Sequence, residues 1–123
     1  MAHILLIDDD EQYRAMLTQM LTRDAHRVTI ARDGEEGLRL AGQVKPDLII
    51  TDILMPNKDG IEAIMALNRA GNGVPIIAIS GGRRFISADF NLRSAALVGV
   101  KATLAKPFER ADLRRAIVLA LSS

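Results

Sequence analysis

The sequence contains no cysteine and no tryptophan, and only one tyrosine, three phenylalanines and four prolines in 123 residues. Without thiols there is no disulfide scaffold, no thiolate metal site and no cysteine nucleophile. Aromatics make up 3% of the chain, so its core must be aliphatic. Neither charge sign dominates: sixteen basic and fifteen acidic side chains leave +1. That balance gives no electrostatic reason to expect nucleic acid or a membrane surface as the main partner. The longest unbroken apolar runs, Ala95 to Val100 and Ala116 to Leu121, are six residues. Roughly 20 are needed to span a bilayer. The start of the chain carries neither a signal-peptide core nor an arginine-rich transit pattern. What is present is a half-apolar chain whose length suits one domain, able to bury roughly two-thirds of its unfolded surface. A single cytoplasmic domain over residues 1–123 is the expectation.

Five short apolar segments recur, each followed by helical periodicity. Ile4-Leu5-Leu6-Ile7 is a continuous run suited to a strand buried on both faces. Behind it, Met16, Leu17, Met20 and Leu21 share one side of a helix. Arg27-Val28-Thr29-Ile30 alternates polar and apolar, as a half-exposed edge strand does. Asp33 and Gly34 form a turn and cap before a short helix with Leu38 and Ala41, which Pro46 ends. Leu48-Ile49-Ile50 runs into Thr51-Asp52, a loop follows over Met55 to Gly60, and a helix then carries Ile61, Ile64, Met65 and Leu67. Gly71, Gly73 and Pro75 punctuate the approach to Ile76-Ile77-Ala78-Ile79. Ser87 is the N-cap of a predicted helix reaching about Val98, with Gly99 just past its end. Ala102-Thr103-Leu104-Ala105 is the fifth strand. A last helix turns Leu113, Ala116, Ile117, Ala120 and Leu121 inward and Arg110, Arg114 and Arg115 mostly outward. Strands alternating with helices predict βαβ units, a parallel sheet and right-handed crossovers.

In a doubly wound sheet the chemistry gathers at the carboxyl ends of the strands. Strand one ends in Asp8-Asp9-Asp10, strand three in Asp52, strand four in Ser80 and strand five in Lys106. Each has a plain reading: an acidic triplet caps a helix, an Asp or a Ser before Gly-Gly makes a turn, and a Lys before Pro is simply exposed. Turn chemistry does not explain why opposite charges converge on one rim from strands nearly a hundred residues apart. Crowded carboxylates repel unless a cation joins them. Oxygen ligands without His or Cys select Mg²⁺ or a similar hard ion, which favours phosphate oxygens. A carboxylate can also attack phosphorus to give an aspartyl phosphate, provided the equatorial oxygens are neutralised. The residues at the rim match phosphoryl transfer to an aspartate.

Leu5-Leu6-Ile7-Asp8-Asp9, Thr51-Asp52-Ile53-Leu54-Met55-Pro56 with Asp59-Gly60, Ser80-Gly81 and Leu104-Ala105-Lys106-Pro107-Phe108 stand in order across essentially the whole chain. The ordered set resembles the receiver domain of two-component response regulators. The resemblance implies a flavodoxin-like α/β fold, a doubly wound (βα)5 with five parallel strands in the order 2-1-3-4-5 and helices on both faces. It implies Asp52 as phosphoacceptor, supplied by a sensor histidine kinase or a phosphotransfer protein. It implies Mg²⁺ held by Asp8, Asp9, Asp52 and the backbone carbonyl of Leu54, with Asp10 left to the helix start. Lys106 would bridge to the acceptor, the Ser80 hydroxyl would swing toward the phosphoryl group, and Lys106–Pro107 is a candidate cis bond. Gly60 would permit a tight turn beside the acceptor. The output would be phosphorylation-dependent binding to an unidentified downstream protein, by a stand-alone receiver that is a monomer or weak homodimer. It would be no enzyme beyond its own phosphorylation and dephosphorylation, and would bind neither nucleic acid nor membrane. The fourth and fifth helices with the fifth strand would form the partner surface.

Two departures from the family pattern stand out. The aromatic residue expected on strand five, three positions before the lysine, is Thr103, and neither Tyr13 nor Phe85 occupies the equivalent place. The stretch from Ser80 to Lys106 is a few residues longer than usual. There Arg83-Arg84-Phe85 reads as a partner-contacting or mobile lid and Phe90 as a core-facing residue of the loop. By the same resemblance Leu54 and Gly82, two residues after Asp52 and Ser80, would flank the path of attacking water without a side chain to orient it, so slow intrinsic loss of phosphate is expected. Three other readings compete. One is a relay intermediate that passes its phosphate onward. Another is a pseudo-receiver that binds partners without phosphate. The third is a Mg²⁺-dependent phosphatase using Asp8, since Asp8-x-Asp10 resembles the haloacid-dehalogenase nucleophile motif although Gln12 departs from it.

Overall fold

A computed structural model describes residues 2–52, 60–70, 73–80 and 100–122, with the backbone alone for 60–63, 70 and 80. The elements run β1 (His3–Ile7), α1 (Glu11–Arg23), β2 (Arg27–Ala31), α2 (Gly34–Val44), β3 (Leu48–Asp52), α3 (Gly60–Ala70), β4 (Ile76–Ser80), β5 (Ala102–Ala105) and α4 (Arg110–Leu121). All five strands are parallel, in the order β2-β1-β3-β4-β5. The sheet is the expected doubly wound arrangement. The helix predicted from Ser87, the loop from Met55, and Leu54, Gly82, Arg83, Arg84, Phe85 and Phe90 lie outside the described residues.

Period-two alternation sends successive strand side chains to opposite faces. Ile4, Leu6, Leu48, Ile50, Ile77 and Ile79 meet Leu17 and Leu21 of α1 and Leu113 and Ile117 of α4 on one face. Leu5, Ile7, Ile49, Ile76 and Ala78 meet Ala41 of α2 and Ile64 and Leu67 of α3 on the other. Ile4–Ile7 of β1 and Leu48–Ile50 of β3 are therefore hydrophobic without interruption, and burying each Leu or Ile stabilises by about 1.5–3 kcal/mol. β2 lies at the sheet edge, as its polar–apolar alternation predicts, but Ile30 of its apolar side is exposed along with Arg27. One inward assignment fails: Leu121 is 43% exposed. It sits in the last residue of α4, where the helix has run past the strands it covers.

Helices α1, α2 and α4 each start on a polar cap that satisfies otherwise orphaned amides. Asp10 accepts hydrogen bonds from the amides of Gln12 and Tyr13 at 3.0 and 3.1 Å. Asp33 accepts from the Glu36 amide at 2.8 Å, and the Glu36 carboxylate accepts in return from the Arg32 amide at 2.7 Å. The Asp112 carboxylate accepts from the Glu109 amide at 3.0 Å. α2 ends in Lys45, which takes a left-handed backbone (φ 48°) immediately before Pro46. Gly37 lets α2 approach β1: a Cβ there would lie 2.4 Å from Ile7 Cδ1 and 2.7 Å from its Cγ1. The contact holds Ile7, and so the strand end that carries Asp8, against the second helical layer.

Candidate functional site

Register places the polar residues. Ile7 pairs with Thr51, so the next residues along β1 and β3 are Asp8 and Asp52, side by side. Asp52 lies across from Ile79 of β4, and Ser80 across from Ala105 of β5, one residue before Lys106. The pairings bring residues 8, 52 and 106 to one rim. Both carboxylates are nearly sealed, Asp8 at 1% and Asp52 at 4% exposure. The Lys106 ammonium lies 3.0 Å from Asp52 Oδ2 and 3.4 Å from Asp8 Oδ2. Asp8 Oδ1 accepts from the Asp10 amide at 2.9 Å, which fixes the turn after the strand. Asp9, half-buried, completes the acid group: one carboxylate oxygen from each of Asp8, Asp9 and Asp52 lies within 4.8 Å of the others.

The electrostatics follow from burial. Burial pushes the Asp8 carboxyl up to about 6, with the Asp52 charge adding to it, against the pull of the Asp10 amide and Lys106. Burial also works against the charged Lys106 ammonium. The two carboxylates outweigh it and hold Lys106 above its ordinary 10.5. Among the described residues three carboxylates gather at the rim and Lys106 bridges two of them, so acid is in excess there even with Arg14 nearby. An all-oxygen donor set with that excess fits a hard divalent cation. Asp8, Asp9 and Asp52 are the residues that would hold it; the Leu54 carbonyl lies outside the described residues.

Asp10 is turned away from this group and spends its carboxylate on capping α1, as its assignment to the helix start requires. A phosphatase built on Asp8-x-Asp10 would need the second acid at the reacting centre. Lys106–Pro107 is cis. Ser80 ends β4, with its backbone alone described, and Gly60 is the first residue of α3 rather than the last of a loop.

Two further residues reach the rim from the first turn of α1. Arg14 Nη1 donates to the backbone carbonyl of Asp8 at 2.8 Å. The Tyr13 ring lies 4.0 Å from the Lys106 ammonium and meets the Phe108 ring edge-on, with centroids 5.7 Å apart and planes at 64°. Burial pushes the Tyr13 phenol up, against the pull of Lys106 and the Phe108 amide. Their sequence signal is position alone: side chains in a helix lean toward its N-terminus, so those following an N-cap return toward the strand end.

The chain matches the family described as the response regulator receiver domain over residues 4–118. It is 38% identical over 96 residues to the transcriptional regulatory protein AfsQ1 of Streptomyces coelicolor, covering 78% of this chain and 42% of that protein. It is 33% identical over 116 residues to the transcriptional regulatory protein GlrR of Escherichia coli, covering 94% of this chain and 25% of that protein. The chain thus spans less than half the length of these relatives. Among solved structures it is similar to the chemotaxis protein CheY4 of Vibrio cholerae, with a TM-score of 0.85 and 28% identity over 98% of this chain and 99% of that one. It is also similar to the receiver domain of a sensor histidine kinase from Pseudomonas aeruginosa, with a TM-score of 0.85 and 30% identity over 99% of this chain and 98% of that one. That domain is described with a magnesium ion coordinated in its active site cleft. Family match, sheet order and acid rim agree, and the chain belongs to the response regulator receiver domains of two-component signalling.

Proposed function

We propose that this receiver takes a phosphoryl group on Asp52 from the phosphohistidine of a sensor kinase or phosphotransfer protein, and signals by binding another protein in the phosphorylated state. The observation that carries this reading is the convergence of Asp8, Asp9, Asp52 and Lys106 on one buried rim. An Asp52 carboxylate oxygen attacks phosphorus, the P–N bond to the donor imidazole breaks, and the imidazole leaves with the electron pair and takes up a proton. Lys106 holds the attacking carboxylate in place and then balances charge on the transferred group. Asp8, Asp9 and Asp52 would hold Mg²⁺, which when bound would neutralise charge on the phosphoryl oxygens. The Ser80 hydroxyl, from the end of β4, contacts the transferred group and couples it to the segment that follows.

The whole protein's output stays with this proposal rather than with its relatives, because the chain spans only part of the transcriptional regulators it matches. One observation favours relay as a second reading: a similar receiver domain belongs to a sensor histidine kinase. Incubation with Mg²⁺ and phosphoramidate, a small P–N donor, tests the acceptor. Wild type gains the mass of one phosphoryl group and Asp52→Asn gains none. Equal gain in both, or gain located on Asp8, overturns the assignment.

A further inference from the structure

Lys106 has a third partner besides the two carboxylates. Its ammonium lies 4.0 Å from the centroid of the Tyr13 ring, close enough for the negative face of the ring to attract the charge. The ring is itself held from two sides. Its backbone amide donates to the Asp10 carboxylate at 3.1 Å, and its edge packs on Phe108, two residues beyond the lysine. Asp10 in turn donates its amide to Asp8 at 2.9 Å, and Lys106 reaches back to Asp8 at 3.4 Å. The contacts close a circuit: Asp8 to Asp10, to Tyr13, to Lys106, and back to Asp8. Residues 98 apart in sequence are locked into one frame by it. Thr103 of β5, half-buried and paired with Ala78, offers the lysine no ring of its own, so among the described residues the aromatic beside Lys106 comes from α1.

We propose that Tyr13 is the positioning residue for Lys106, its ring face holding the ammonium where it bridges Asp8 and Asp52. The inference deepens the reading of Asp52 as acceptor and rests on it. A lysine on a four-carbon stem samples many rotamers, and a carboxylate pair alone fixes its distance but not its direction. The ring supplies the missing direction, and it does so through its face rather than through the hydroxyl, which the Phe108 amide meets. Loss of the ring leaves the donor and Mg²⁺ sites intact and slows the transfer step itself.

The test uses the full chain with Mg²⁺ and phosphoramidate, following phosphoryl gain against donor concentration. Tyr13→Leu is expected to lower the maximal rate roughly tenfold with the half-saturating concentrations of donor and Mg²⁺ unchanged. Tyr13→Phe is expected to restore most of that rate. A Tyr13→Leu protein as fast as wild type overturns the proposal, as does Tyr13→Phe as slow as Tyr13→Leu. A second measurement needs neither variant to fold. The chain has one tyrosine and no tryptophan, so its near-ultraviolet emission reports this ring. Lys106→Ala is expected to change the intensity of that emission, and an unchanged spectrum overturns the contact. If wild type gains no phosphoryl group at Asp52, the acceptor reading and the rate claim fail together. The emission change, which involves no phosphate, then decides separately whether the ring holds the lysine.

Discussion

Two carboxylate–cation clusters sit at opposite ends of α1, and they are built with opposite imbalance. At the start of the helix, the carboxylates of Asp8, Asp9 and Asp52 gather together, one ammonium bridges Asp8 and Asp52, and these two acids are almost sealed from water. At its end, the single carboxylate of Asp24 pairs with two guanidiniums of α4, Arg110 and, at 3.4 Å, Arg114. Burial pushes the Asp8 carboxyl up despite the pull of Lys106, while the Arg110 hydrogen bond and the arginine charges hold Asp24 below the usual carboxylate range. A cluster with excess acid in a buried place stores unfavourable energy that a cation can relieve. A half-buried acid with excess base is satisfied within the fold and joins α1 to α4. The same two residue classes thus make a candidate cation site at one end and a structural tie at the other.

The largest test of that contrast is Asp8→Asn. The native Asp8 carboxyl is raised from 3.8 to about 6, so its charged form opposes folding at neutral pH. Neutralising it should stabilise the chelator-treated protein by on the order of 1–3 kcal/mol at pH 7. Mg²⁺ binding should weaken by more than about tenfold at the same time. Thermal unfolding with and without Mg²⁺ measures both, and an apo variant less stable than wild type would mean that Asp8 contributes to the fold chiefly through its contact with Lys106.

Asp24→Asn should go the other way. Its unfolding temperature should fall by less than Asp8→Asn raises it, because exposed ion pairs are screened. The difference should shrink in high salt while the rate of phosphoryl gain stays at the wild-type value. A rate that fell with Asp24→Asn would break the division of labour between the two ends.

A further test lies in the acid dependence of stability, measured by denaturant titration in chelator at fixed ionic strength. A carboxyl raised to about 6, as in Asp8, contributes stability that is full below 3.8 and lost as pH rises through about 6. His26 works in the opposite sense. Burial holds it below 6.5, opposed by Asp24, and its Nδ1 accepts from the Ala2 amide at 3.0 Å, which requires the unprotonated nitrogen. Its contribution is full above 6.5 and lost as pH falls toward its depressed native value. The Asp24 contribution is full above 3.8 and lost as pH falls through its own depressed value. Wild type should therefore have a flatter profile between pH 6.5 and 3.8 than Asp8→Asn, in which the loss from His26 is unmasked. Parallel profiles would exclude Asp8 as the raised group.

Much of this arrangement is written in local pattern. Uninterrupted apolar runs at Ile4–Ile7 and Leu48–Ile50 can only be buried on both faces, and polar alternation at Arg27–Ile30 can only be an edge. The acids that follow β1 and β3 are legible for the same reason, since strand ends in such a sheet share a rim. Leu121 was misplaced because helical periodicity does not report where the covering strands stop. Gly37 carries no hydrophobic signal, yet it is buried on α2 because the neighbouring Ile7 leaves no room for a Cβ.

The sequence by itself determined the class of fold, the order of its elements and which strand ends carry charge, because those depend on residue type and short-range period. It could not determine which oxygen meets which nitrogen. The separations among Asp8, Asp52 and Lys106, the capping role that takes Asp10 out of the acid group, and the seat of Lys106 on the Tyr13 ring were decided only by the tertiary structure. They depend on strand register and on the angle at which α1 leaves the sheet. These are set by the packing of both helical layers together and by no single segment of the chain.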